Sequence, residues 1–162
     1  MKQQIFFLLI LMVVSFEINA QTKPLKKLYA YSQETLPGKR SNHPVTPKIS
    51  YRLFVTVNPK QKIIVTGVWL KNNYYSCTTK NIPSKQVIHE NTNYEKKILV
   101  AKTSYTVIEL LLLKQINPAP RPGSELGALL QLNEVVVAYS WKGKEYFSAL
   151  KKITVLEPFA PM

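Results

Sequence analysis

Glu134-Val-Val-Val-Ala-Tyr-Ser-Trp-Lys142, continued through Gly143 by Lys144-Glu-Tyr-Phe-Ser-Ala-Leu-Lys-Lys-Ile-Thr-Val-Leu-Glu157, is the stretch that decides the fold. Val135, Val137, Tyr139 and Trp141 recur every second residue, the period of a strand with one buried face. Gly143 supplies the backbone freedom of a tight turn, so Lys144–Glu157 reads as the returning arm of a hairpin.

The same period recurs upstream. In Ile49-Ser-Tyr-Arg-Leu-Phe-Val-Thr-Val57 the odd positions Ile49, Tyr51, Leu53, Val55 and Val57 share one side, opposite Ser50, Arg52 and Thr56, which describes a half-buried strand. Lys62–Lys71 is apolar on both sides and reads as a central strand. Asn72-Asn73 tolerates positive φ, so Tyr74–Thr79 can return as a hairpin arm. Lys26–Gln33, Lys85–Glu90, Lys96–Thr103 and Tyr105–Lys114 are further strands. The last contains the run Leu110–Leu113, and Thr106, Val107 and Ile108 decide for the pleated conformation over a helix.

Asn117-Pro-Ala-Pro-Arg-Pro-Gly123 follows, and its three prolines cannot donate ladder hydrogen bonds, so it is an extended connection. Ser124 can cap one short helix over residues 125–132 that buries Leu126, Leu129 and Leu130. These elements amount to an all-β, immunoglobulin-like β-sandwich of about eight strands with a single helix. The longest stretch without a pattern is Glu34–Pro47, and loops of that length often carry function.

Residues 1–20 differ in kind. Lys2 precedes ten apolar residues, Ile5–Val14, and the segment ends in Ile-Asn-Ala, the layout of a secretory signal peptide cleaved after Ala20. The apolar run is well short of the roughly 20 residues needed to span a bilayer. Gln21 is not the cysteine that a lipid anchor requires. The expected organisation is a signal peptide, 1–20, and a single β-sandwich domain, 21–162, exported to the periplasm or outer envelope without a transmembrane segment or lipid anchor.

The 162 residues hold 22 Lys plus Arg against nine acidic residues, for a formal charge of +13. Every acidic residue is Glu. The absence of Asp removes Asp-rich calcium loops, Asp–His–Ser triads and Asp nucleophiles. Positive charge concentrates early: Lys23, Lys26, Lys27, Lys39, Arg40, Lys48, Arg52 and Lys60 face Glu34 alone in the first forty residues after Ala20.

Few residues offer catalysis. Cys77 is the only cysteine, so no intramolecular disulfide can form, and it reads as a packed thiol. A Cys77-dependent enzyme using His43 or His89 would show a thiol that labels rapidly in the folded state. The two histidines have no metal-ligand spacing, and neither cofactor nor metal is expected. Glu109 and Glu134 lie in apolar strands, but two such carboxylates define no glycosidase cleft. No Gly-rich phosphate loop, Gly-x-Ser-x-Gly elbow or His-Glu-x-x-His motif occurs.

The Asn-Ala-Gln cleavage region, the Trp-Leu-Lys-Asn-Asn-Tyr-Tyr segment at 69–75 and Tyr-Ser-Trp-Lys-Gly-Lys-Glu-Tyr-Phe at 139–147, with the closing Leu-Glu-Pro, together resemble uncharacterised exported β-sandwich proteins of Bacteroidota-type Gram-negative bacteria. The resemblance implies an envelope location and carries no activity or functional residues.

The leading functional expectation is a non-catalytic binding or accessory protein of the cell envelope, a subunit or companion of an outer-membrane or secretion assembly. A sheet edge can accept a partner strand, and the basic loop can dock an acidic protein. Lys39, Arg40, Tyr29 and Tyr31 are the candidate contacts. The alternative is a module for carbohydrate or anionic glycolipid such as lipopolysaccharide, using Tyr74, Tyr75 and nearby lysines. Nucleic acid is not an expected partner, because no binding motif accompanies the charge.

Overall fold

The structure, a computed structural model, describes residues 23–36, 47–91 and 94–159. The expected signal peptide, residues 1–20, lies outside the described residues. Among the described residues ten strands and one helix follow in order: β1 (Leu25–Thr35), β2 (Lys48–Val57), β3 (Ile64–Leu70), β4 (Asn73–Ile82), β5 (Val87–Glu90), β6 (Lys96–Val100), β7 (Thr106–Gln115), α1 (Ser124–Leu132), β8 (Val135–Trp141), β9 (Lys144–Leu150) and β10 (Thr154–Val155). Eight strands form one sheet in the order β10-β1-β2-β7-β4-β3-β8-β9, and β5-β6 is a separate two-stranded sheet.

The chain is an all-β sandwich whose two layers are the two halves of a single curled sheet. Leu25, Leu28, Leu53 and Val55 from one half meet Val68, Leu70, Val137, Tyr139 and Trp141 from the other in the central core. The path of the C-terminus shows how far the sheet curls. β9 and β10 lie at opposite ends of the strand order, yet only Lys151–Ile153 separate them. At about 3.3–3.6 Å per residue so short a link demands that the two ends of the sheet lie close together, and β1 indeed contacts β9. Glu134 pins this crossing: its carboxylate accepts the Ile153 N–H at 2.7 Å, and its own N–H donates to the Lys151 carbonyl.

The outer side of the sheet is covered in two places. The β5–β6 hairpin packs Val87, Leu99 and Val100 against Phe54 and Val107, with Leu156 completing the cluster. Helix α1 places Leu126 over Trp69, Val136 and Ala138. These two covers explain why the Leu53–Val57 half of β2, and β8, are buried on both faces rather than one. Phe54 and Thr56, on the polar side of the alternation, are buried beneath the hairpin or beside it.

Boundary details differ from the sequence expectations for local reasons. The β3–β4 turn is Lys71-Asn72, with φ of 48° and 68°, one residue earlier than Asn72-Asn73. The β8–β9 turn repeats this geometry at Lys142-Gly143, with φ of 51° and 73°. Two successive positive φ values match the twist of antiparallel arms. Ser124 enters the helix instead of capping it: the cap position is Gly123, and no side chain bonds there. The arm Lys144–Glu157 breaks at Lys151, where the chain leaves one sheet edge for the other.

Candidate functional site

The chemistry of the molecule is richest on the outer face of the β1-β2-β7-β4 half, beyond the edge of the hairpin. Strand alternation directs Gln33, Arg52, Glu109 and Lys80 to this face, because Leu53 and Leu110 on the intervening positions are committed to the central core. Arg52 Nη2 lies 3.5 Å from Glu109 Oε1, and its guanidinium stands over the Phe54 ring at 5.2 Å. Lys80 pairs directly across from Glu109. From the hairpin, His89 and its cross-strand partner Lys97 face the same region: His89 Nε2 is 3.1 Å from Gln33 Nε2. Gln33 Nε2 also donates to the Glu157 carbonyl at 3.0 Å, and Asn91 Nδ2 donates to Glu157 Oε2 at 2.8 Å. Together His89, Asn91, Glu95, Lys96, Lys97, Leu156 and Glu157 line a cleft of about 260 Å³.

Burial and then the positive charge of Arg52 and Lys97 push the His89 pKa below its ordinary value. The folded state therefore holds His89 neutral where the unfolded chain already takes a proton. Stability from this residue is complete above about pH 6.5 and falls as the pH drops from there through the lowered folded-state pKa. Replacing His89 by Gln, which keeps a partner for Gln33, is expected to flatten the decline in urea midpoint between pH 7 and pH 5. An unchanged slope would place the acid sensitivity elsewhere.

Next to this cluster the sheet parts. β2 and β7 pair from Val57↔Thr106 up to Leu53↔Leu110 and no further, although β2 runs on to Lys48 and β7 to Gln115. A bulge supplies the physical cause: Tyr75 to Cys77 on β4 spans two steps, while Gln115 to Leu112 on β7 spans three. The extra residue bends and twists β7, drawing its end along β4 and away from β2. Side chains at the parting are left open, with Ile49 54%, Leu111 39% and Leu113 66% exposed. On the outer face Lys48, Arg52 and Lys80 accompany Leu111, with Glu109 among them, and Glu34 stands directly across from Ile49.

The sequence-derived candidates are dispersed. Tyr29 and Tyr31 are half-buried against the cluster under the hairpin, and the Tyr31 hydroxyl donates to the Leu99 carbonyl. Lys27 Nζ sits 4.8 Å from the Tyr29 ring centre. Tyr74 lies on the outer side, its ring 4.6 Å from that of Trp69 and its hydroxyl donating to the Thr66 carbonyl at 3.2 Å. Tyr75 packs into the central core on the opposite face, so these two neighbours share no platform. Lys39, Arg40 and His43 lie outside the described residues. Cys77 also packs against the central core, where burial raises its thiol pKa, and His89 stands on the far side of the sheet from it.

Arg52, Lys80, Leu111 and Leu113 were not singled out as contacts in the sequence. The signal present there was Leu110–Leu113, an apolar run too long for a strand with one buried face. Among the described residues no three of His, Cys, Asp or Glu gather as a metal-holding group, and no helix is long and apolar enough to cross a membrane. Fold and site together define an all-β sandwich with an open, cation-rimmed face. Comparison with protein-family models, curated proteins and solved structures gives no match for the chain.

Proposed function

We propose that this chain is a non-catalytic binding module of the cell envelope that holds an acidic protein partner, as a companion of an outer-membrane or secretion assembly. The observation that supports this reading best is the parting between β2 and β7, where Leu111 is exposed on the outer face that also carries Lys48, Arg52 and Lys80, with Leu113 exposed further along β7 and Ile49 exposed on the inner face. Exposed apolar surface beside an excess of positive charge suits a docking face: apolar contact supplies affinity, and the charge selects and steers an oppositely charged partner. Export rests on the apolar segment Ile5–Val14 and its Ile-Asn-Ala ending.

Immobilised native protein is expected to retain a stoichiometric acidic partner from solubilised envelopes, with retention falling as salt rises, because rim contacts are screened. Charge reversal of the rim, Lys48→Glu with Lys80→Glu, is expected to weaken retention at least about tenfold. Absence of a stoichiometric partner, or retention indifferent to these substitutions, would overturn the proposal.

A further inference from the structure

The directions of the backbone groups at the parting carry a more specific statement. Leu156 N–H donates to the Ser32 carbonyl and Phe159 N–H to the Glu34 carbonyl, so even-numbered residues at the end of β1 turn outward to the C-terminal segment. The intervening Tyr31 and Gln33 turn inward to β2, where they pair with Arg52 and Ser50. Because main-chain groups alternate along a strand, Ile49 and Tyr51 of β2 must point the other way, into the parting. On β7, Ile116 N–H donates to the Tyr74 carbonyl, and Ser76 Oγ bridges the N–H and carbonyl of Lys114. Gln115 lies between them and points away from β4, again into the parting. Leu112 follows Leu110, the last residue paired with β2, with the same orientation.

Two strand edges therefore face each other with their main-chain donors and acceptors unpaired by any strand among the described residues. Other boundaries of the sheet are handled differently. The end of β1 is covered by β10 and by the bridge from Thr35 to Phe159. The edge strand β9 carries Lys144 and Glu145 at its start, charge of the kind that discourages edge pairing. At the parting the free β7 segment is Leu-Leu-Leu-Lys-Gln, which carries one charge, Lys114, and neither proline nor an acidic residue.

We infer that the parting is a strand-acceptor site: an extended segment of the acidic partner adds to the free edges at Ile49–Tyr51 and Leu112–Gln115 through main-chain hydrogen bonds. This rests on the proposed binding function and names its mode. Side chains of an inserted strand alternate between faces. Those on the inner face meet Ile49, Tyr51 and Leu112, which calls for apolar residues. Those on the outer face meet Arg52, Lys48 and Lys80 around Leu111, which calls for carboxylates. The occupant is accordingly a segment alternating apolar and acidic residues, recognised by the backbone and sorted by charge.

The test uses ¹⁵N-labelled protein and a synthetic extended peptide alternating valine and glutamate. A second peptide has N-methyl groups along its pairing edge, and a third replaces glutamate by lysine. The expected result is slowed exchange, by at least about tenfold, at the amides of Ile49, Tyr51, Leu112 and Gln115, with binding at least about tenfold weaker for both control peptides. If the N-methylated peptide binds equally well, strand addition is wrong although an acidic partner remains acceptable on this face. If shifts map to β9, if no peptide binds, or if the same amides become protected by self-association without peptide, the inference is overturned. Partner retention from envelopes then judges the binding function separately.

Discussion

Phe54→Ala is expected to lower the unfolding free energy by about 3–5 kcal/mol, the range for truncating a fully buried aromatic side chain. Phe54 is 0% exposed and touches neither solvent nor the central core: it is the anchor under the β5–β6 hairpin, among Val87, Leu99, Val100, Val107 and Leu156. Its ring lies 6.4 Å from that of Tyr31 and beneath the Arg52 guanidinium. The loss should be visible in two ways. Urea midpoints should fall, and amides of Val87–Glu90 and Lys96–Val100 should exchange faster than those of β8. The second readout matters for function, because the hairpin sets His89 and Lys97 against Gln33 and Arg52. A loss below about 1 kcal/mol would mean that the hairpin does not depend on this contact for its position.

Gly67→Ala is the second large effect, and its cause lies on the other outer cover. A Cβ at Gly67 would stand 2.3 Å from Cε2 of Tyr74, well inside contact distance. The Tyr74 ring crosses over Gly67 while packed at a tilt against Trp69 and hydrogen-bonded to the Thr66 carbonyl, so it cannot yield without losing both partners. Overpacking of this kind costs about 1–3 kcal/mol. Tyr74→Ala should open the space. In that background Gly67→Ala should be nearly neutral, a coupling of about 1 kcal/mol or more between residues in direct contact. Additive losses would show that the ring does not occupy the glycine's vacant side. The contact also assigns Tyr74 a packing role, alongside whatever it offers to a ligand.

What was readable in the sequence follows from which interactions are local. Alternation at Val135–Trp141 and Tyr51–Val57 identified inner faces because every second residue there enters one core, whereas Ile49, on the same side, is left exposed at the parting. The β8–β9 turn was readable because Lys142-Gly143 contains a residue suited to positive φ. Burial of Phe54 was not readable, since it depends on a hairpin thirty residues downstream folding back over β2. Nor was the fate of Thr154-Val155, whose parallel pairing with β1 requires the whole sheet to curl first. The proposed docking face shows the same division. Arg52 could be placed on the polar side of its strand, but the parting beside it arises from a bulge against β4, and nothing in Leu110–Gln115 taken alone marks where pairing with β2 stops. Tyr74-Tyr75 illustrates the converse: two adjacent aromatics suggest a platform, whereas a strand sends neighbours to opposite faces.

The docking face, the acceptor site and the partner's expected chemistry all depend on the sheet parting between two interior strands. Amide hydrogen exchange of the free protein, resolved by residue, tests that directly. Tyr51 and Leu112 are expected to exchange at least about a hundredfold faster than Arg52 and Leu110, one and two residues away, whose amides are turned to, or paired with, a strand. Equal, strong protection of Tyr51 and Leu112 would mean that β2 and β7 remain paired to their ends, and that no strand-acceptor site exists there.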